Sequence, residues 1–426
     1  MSHPNVAAVS EPSAPSPRPY PHHFQSEEST GVAEPLRSLS SGYGALARPL
    51  GETAYLVGAG VNRAVFGPEQ RPLPLARDFF RYVLEQPRFS SDHARQTLQP
   101  LWEFIDRYWH CGPETLRHGE LDVEECLTLV ELQRREAYES SDDERLLEAS
   151  RLEFLLIGLL AECFAQVDHW HFFSADYQNL GRRVYEERAA VLTFNYDTLL
   201  ETAIQHGSPP TVGTSGVSRL RYAARPVTDD SYFPRSWNPL LAYKVHFDEL
   251  LVKPGSPVPI GGDSYYAPFE TREAEHAPFL KLHGSLDWYF RSGYRLDGKT
   301  IDPRAPVSRS RFQRAHGRFD APEVDHDNSE MLLPLILTPT LDAPFDEHPV
   351  FRSLWREARA ALARAKTLVI IGFSFPPSDF HVRRLLREAF ADNALERLCV
   401  VNPDASVASA ARDLCNFRKP VSICRN

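Results

Sequence analysis

Two kinds of apolar pattern divide the chain. Short apolar runs that stop at glycine or a polar residue predict strands. Longer stretches in which apolar residues recur every three or four positions predict amphipathic helices. The strand-like runs are TAYLVGAG (53–60), AAVLTFN (189–195), FLKLHGSL (279–286), LLPLILTP (332–339), TLVIIGFS (367–374) and RLCVVNPD (397–404). Residues 75–187 carry the helical spacing, in LARDFFRYVLEQ, HARQTLQPLWEFIDRYW, VEECLTLVELQRREAY and RLLEASRLEFLLIGLLAECFAQV. Further helices are predicted for TLLETAIQ (198–205), 348–365, 379–391 and 405–413. Apolar strands alternating with helices predict an α/β fold, with a parallel sheet covered on both faces.

Two segments break the pattern. Residues 1–48 hold seven prolines and many serines with little periodic apolar content, the signature of a flexible tail. Residues 207–275 are rich in Pro, Gly, Ser and Tyr, with short β-like pieces at RLRYAARPV and LAYKVHF, so an irregular insertion is expected. The folded domain is thus expected over 49–426, with a helical insertion at 75–187. No internal repeat is found.

An apolar fraction of 42% in 426 residues supplies a sizeable core. The balance of 47 Lys+Arg against 57 Asp+Glu, net −10, argues against a dominant nucleic-acid surface. The apolar run FLLIGLLA (154–161) lies between Glu153 and Glu162 and is far shorter than the roughly 20 residues that span a bilayer. The opening MSHPNVAAVS lacks a basic region followed by an apolar one, so no secretory signal is expected. Six cysteines are scattered without a CxxC pair, which predicts reduced thiols, neither a zinc site nor a disulfide frame, and a cytoplasmic location.

In parallel sheets ligands sit at the carboxyl ends of the strands. Here those ends read GAG, FNYD, HGS, GFS and NPD, all polar or glycine-rich, and five together predict a pocket. Each end has two readings. Gly58 and Gly60 suit either a phosphate cradle or a tight turn without ligand. Asn195 and Asp197 stand where a strand meets a helix, so one of them is explained by capping. His283 is either a structural histidine or a proton carrier in the right pKa range. The turns after Gly372 and Asn402 are either ligand contacts or turns capped by Ser378 and Asp404.

The order GAG, T-x-N-Y-D, LHG, G-[FY]-S and VN resembles the sirtuin fold, and more closely the bacterial SIR2-like family of antiphage defence, over roughly 52–410. The resemblance implies a Rossmann-type sheet and NAD as substrate, with no metal. It implies that Gly58, Ala59, Gly60 and Asn62 face the pyrophosphate. Asn195, Asp197 and His283 would surround the nicotinamide ribose, and Gly372, Ser374 and Asn402 the adenosine half. There are departures. The four-cysteine zinc module of sirtuin deacylases is missing from the sequence, and Asn62 stands where the family usually has serine. The G-x-P-D-F-R run has at most a distorted counterpart in RPLPLARDF (71–79). Hydrolysis of NAD therefore fits better than protein deacylation.

The expected activity is an NAD glycohydrolase, with His283 as base, Asn195 positioning water and Asp197 holding the ribose. The alternatives are a deacylase or ADP-ribosyltransferase, and a sensor that binds NAD or ADP-ribose without turnover. The resemblance further implies abortive infection and control by homo-oligomer assembly or by a HerA-like ATPase partner; the shortness of the FLLIGLLA run is the reason that no membrane association is expected.

Overall fold

The computed structural model describes residues 50–67, 71–165, 167, 172–209, 237, 242–245, 249–253, 256–259, 276–295, 307–310, 323–325, 330–337, 349–392 and 395–424. These fall in a compact unit that runs from Ala47 to Asn426. The tail expected at 1–48 and the β-like piece at RLRYAARPV lie outside the described residues. Of the LAYKVHF piece, residues 242–245 are described and form no strand.

Twelve strands are described. They are β1 (Thr53–Val57), β2 (Ala190–Thr193), β3 (Glu249–Lys253), β4 (Ser256–Pro259), β5 (Phe279–Lys281), β6 (Gly284–Arg295), β7 (Val307–Ser310), β8 (Glu323–Asp325), β9 (Glu330–Ile336), β10 (Thr367–Ile371), β11 (Arg397–Val401) and β12 (Ser422–Cys424). One six-stranded sheet has the order β12-β11-β10-β1-β2-β5, and each pairing in it is parallel. From β1 the chain adds β2 and β5 on one side, then returns to lay β10, β11 and β12 on the other. This is the doubly wound arrangement, and its switch point lies between β1 and β10, where ligands of such sheets bind. Buried Leu56, Leu192, Leu280, Ile370 and Val400 belong to the core that this sheet runs through.

The run LLPLILTP is a strand, but it does not join the parallel sheet. As β9 it pairs antiparallel with β6 in a second sheet of order β4-β3-β7-β6-β9-β8. Apolar content alone cannot distinguish the two sheets. The stretch expected to be irregular contributes β3 and β4 to this second sheet.

The helical insertion holds α1 (Phe79–Glu85), α2 (Asp92–Trp109), α3 (Pro113–Leu116), α4 (Val123–Ser140), α5 (Asp143–Ala165) and α6 (Ala175–Glu187). Side-chain caps start several of them. Ser91 accepts from Ala94 N–H at 3.1 Å, Asp122 from Glu124 N–H at 2.9 Å, and Ser174 from Tyr177 N–H at 3.2 Å. Such caps satisfy amide donors that the first turn leaves unpaired. Later come α7 (Leu199–Gly207), α8 (Pro349–Arg364), α9 (Phe380–Ala389) and α10 (Ala405–Leu414). The insertion is fastened to the sheet domain where α6 packs on α7. A Cβ on Gly181 would lie within 2.7 Å of the Ile204 nitrogen, so glycine permits this close crossing. No helix among the described residues is long and apolar enough to cross a membrane.

Candidate functional site

The five strand ends identified in the sequence meet. Beyond β1, Gly60 N–H donates to Gly372 O at 2.9 Å, and Gly58 N–H donates to Ile371 O at 3.0 Å. The two glycine turns lie backbone against backbone: a Cβ on Gly60 would fall 2.7 Å from Gly372 Cα, and one on Gly58 2.7 Å from Gly372 O. Gly372 has φ +61°, a left-handed conformation that glycine adopts without steric cost. These glycines thus have a packing reason for being glycine, whatever else they hold. Ala59 and Ser374 are exposed on the same turns.

Beyond β2 the chain turns into α7. Asn195 donates from its side chain to Gly58 O at 3.4 Å, which ties the second strand end to the first. Asp197 caps the helix, accepting from Leu199 N–H at 3.0 Å. Its other oxygen accepts from Asn62 Nδ2 at 2.7 Å, and Asn62 in turn accepts from the Tyr177 hydroxyl at 3.3 Å. Asn62 is buried, and its amide joins the glycine turn, the Asn-Tyr-Asp turn and α6. That function explains an amide here without reference to phosphate. At the far side Asn402 donates to Phe373 O at 3.4 Å and accepts from Asp404 N–H at 2.9 Å, while Asp404 caps α10. Asp78 of the RPLPLARDF run pairs with Arg63 at 2.6 Å.

His283 occupies the turn between β5 and β6 and is 1% exposed. The rings of Phe194 and Tyr196 stand 5.0 and 6.4 Å from its own. Its Nε2 faces Asp379 Oδ1 at 3.6 Å. Its Nδ1 has no hydrogen-bond partner among the described residues. Burial, reinforced by the charge of His381, pushes the imidazole pKa down to about 3. Burial also lifts Asp379 to about 7. The sequence predicts a convergent pocket. The groups do converge, but the imidazole lies enclosed beneath aromatic rings and a carboxylate.

These shifts make stability depend on pH. Below the ordinary histidine value of about 6.5, the unfolded chain binds a proton at His283 and the folded chain does not. Stability therefore falls as pH drops toward 3, by about 1.4 kcal/mol per pH unit for one proton. Asp379 acts in the opposite sense, since its folded value lies above the unfolded one. Its contribution is complete in acid and is lost as pH rises through about 7. In thermal melts of wild type and His283→Gln, the difference in Tm is expected to be constant above pH 7. Between pH 6.5 and 4 it should move steadily in favour of the variant. Parallel profiles across the whole range would contradict the buried neutral imidazole.

Two participants are not marked by any strand-end motif. Lys281 on β5 is fully buried; its Nζ donates to Glu201 Oε1 at 2.9 Å and to the main-chain oxygen of Asp197. Glu201 also accepts from the Tyr243 hydroxyl at 3.0 Å. A lysine inside the apolar run FLKLHG was the available signal, since a buried charge needs a partner. Asp379 lies in PPSDFH, which the sequence marks only as a turn. Glu124, at the start of α4, has its pKa raised to about 8, by desolvation first and then by the charges of Asp379 and Asp122.

A model of the SIR2-like domain family matches residues 189–418, more than half of the chain. No curated protein matches the chain. Among solved structures, similarity is found to two mutants of a Sir2 homologue in complex with ADP-ribose and to a Sir2 homologue–NAD complex. Each is 11% identical at a TM-score of 0.33 and covers 86% of this chain, with 89%, 89% and 87% of the other chain covered in turn. With the family match spanning β2 to α10 and all five strand-end motifs joined at one edge of a parallel sheet, the chain belongs to the SIR2-like domain family.

Proposed function

We propose that the protein is an NAD glycohydrolase that splits the bond between nicotinamide and ribose. The observation that carries this reading is the meeting of Asn195, His283 and the Gly58–Gly60 turn beside the switch point of a parallel sheet. NAD lies across the β1 and β10 ends, with its pyrophosphate toward Gly58, Ala59, Gly60 and Asn62. Its adenosine half lies toward Gly372, Ser374 and Asn402, and its nicotinamide ribose toward Asn195 and His283.

The pyridinium leaves as neutral nicotinamide, because the bonding pair returns to its ring nitrogen. Cleavage therefore needs no acid. What remains is an oxocarbenium-like sugar, which the protein must stabilise while delivering water. Asn195 positions that water. A histidine with a pKa near 3 is a weak base by itself, whereas the ideal catalytic pKa lies near the operating pH. Asp379, with a pKa near 7 and opposite Nε2, corrects the mismatch: as its carboxyl ionises, it stabilises the proton that the imidazole takes. A carboxylate opposite Nε2 favours the protonated form of the imidazole. Asp197 contributes by fixing the turn, since its oxygens are engaged by Asn62 and Leu199 N–H.

An enzyme that destroys NAD must be silent at rest, and the enclosure of His283 supports that state. In this reading, assembly or a partner of the HerA-like ATPase type opens the site and NAD depletion serves antiviral defence. The test is chromatography of NAD incubated with the protein, alone and with candidate partners. Equimolar nicotinamide and ADP-ribose are expected. Acyl-lysine turnover or ADP-ribosylated protein would instead favour a protein-modifying enzyme. A non-catalytic sensor is the second reading, favoured by the low basicity of His283. Tight NAD binding with no nicotinamide under any condition would establish it.

A further inference from the structure

In the glycohydrolase reading His283 takes a proton, and an imidazole has two nitrogens that can do so. We infer that Nδ1 is the nitrogen that meets the nicotinamide ribose and the attacking water. Asp379 is then a positioning residue, which holds the neutral ring in the tautomer with its proton on Nε2. The inference rests on the NAD reading above and assigns the side of the imidazole on which that substrate lies.

The main chain at His283 is fixed. Its carbonyl oxygen accepts from Leu337 N–H at 2.8 Å, and the next residue, Gly284, has φ +83° with no room for a side chain beside Leu335 O. The buried rings of Phe194 and Tyr196 border the imidazole. In that setting the two nitrogens differ. Nε2 faces Asp379 Oδ1 at 3.6 Å, whereas Nδ1 is buried with no hydrogen-bond partner among the described residues. A neutral imidazole carries one N–H and one bare nitrogen. With the proton on Nδ1, a buried donor would lack an acceptor and the Nε2 lone pair would point at a carboxylate oxygen. With the proton on Nε2, the N–H points at that oxygen and only an acceptor is left vacant. The contact is longer than an ordinary hydrogen bond, but the sign of the electrostatic preference is the same at that distance. The partner of one ring nitrogen thus sets the state of the other.

The vacant acceptor is what points to a ligand. Most buried polar side-chain atoms are satisfied, and none of the described residues serves this one. A ribose hydroxyl, or a water held beside it, supplies the missing donor. When that water attacks the anomeric carbon, its oxygen forms the new C–O bond, one O–H bond breaks, and the proton passes to Nδ1. The imidazolium then has its Nε2–H toward Asp379, so the new positive charge has a carboxylate opposite it. The two nitrogens point in different directions. Asp379 therefore acts through the ring and not on the substrate.

Nitrogen NMR of the protein carrying isotope-labelled histidine reads the tautomer directly. Spectra are taken at pH 8, where Asp379 is ionised, and His283→Gln identifies the signals. Wild type is expected to show a protonated Nε2 and a bare Nδ1. Adding ADP-ribose, which keeps the ribose in question, should shift Nδ1 strongly and Nε2 little. Asp379→Leu, checked by thermal melting, should turn the single tautomer into a mixture. It should also lower kcat for nicotinamide release about tenfold or more, with KM for NAD within about threefold. A proton on Nδ1 in wild type, or a tautomer unchanged in Asp379→Leu, overturns the assignment. Should that variant fail to fold, the wild-type tautomer and its response to ADP-ribose decide. If ADP-ribose binds but leaves the Nδ1 signal in place, the assignment is overturned and the NAD site stands. If neither ADP-ribose nor NAD binds, the glycohydrolase reading falls and the role of Nδ1 falls with it.

Discussion

Replacing His283 or Asn195 by alanine is expected to slow nicotinamide release from NAD by about 10²–10⁴-fold. The two losses arise differently. Without His283, the proton shed by the attacking water has no acceptor beside Asp379, and the pH profile of turnover loses the limb near 7 that the pair imposes. Without Asn195, the water and the ribose lose their orientation, and the pH profile keeps its shape at a lower rate. The side-chain bond from Asn195 to Gly58 O, at 3.4 Å, is long enough to be exchanged for a ligand at little cost. Initial rates by chromatography, with melting curves and ADP-ribose affinity as controls for folding, distinguish the two. Wild-type turnover in both variants would remove these residues from the mechanism. Asp197→Asn should behave differently, because it weakens the link to Asn62 and the α7 cap. Its main effect is expected on Tm.

What the sequence disclosed follows from the scale at which each feature is encoded. The runs AYLV, AVLT and LVII announce central strands because both faces of the sheet are covered, so nearly every position must be apolar. Their polar ends are visible for the same reason, as abrupt breaks in that pattern. LLPLI satisfies the same rule while belonging to the second sheet, because membership depends on pairing with β6, some forty residues earlier in the chain. The edge strand β12, SIC, is three residues long and exposed, too short and polar to register. Among the site residues, Asn195, His283 and the glycines lie within a few positions of a strand and could be found from it. Asp379 comes almost 100 residues after His283, and only the folded chain sets its carboxylate opposite the imidazole. The glycines also show the limit of motif reading. Gly58, Gly60 and Gly372 are explained by turn-on-turn packing as fully as by a phosphate, and geometry without a ligand satisfies both.

The largest stability effect is expected from Lys281. Lys281→Met keeps most of the side-chain volume but leaves Glu201 buried with the Tyr243 hydroxyl and without its cation, at a cost of about 3–5 kcal/mol in chemical denaturation. Burial already raises the Glu201 pKa, and Lys281 is what opposes that rise. Removing the lysine therefore drives Glu201 toward its neutral form. The double variant Lys281→Met/Glu201→Leu should recover much of the loss, since an apolar pair of similar size needs no desolvation of charge. Recovery of stability should not restore activity. The same ammonium holds the main-chain oxygen of Asp197, so the double variant folds with the Asn-Tyr-Asp turn released. Turnover is expected to stay low while Tm returns, because a small misplacement of Asn195 costs rate without costing stability. If the double variant lost the sum of the two single losses, the pair would not be coupled. If it regained full turnover, the lysine would be a structural brace with no hold on the site.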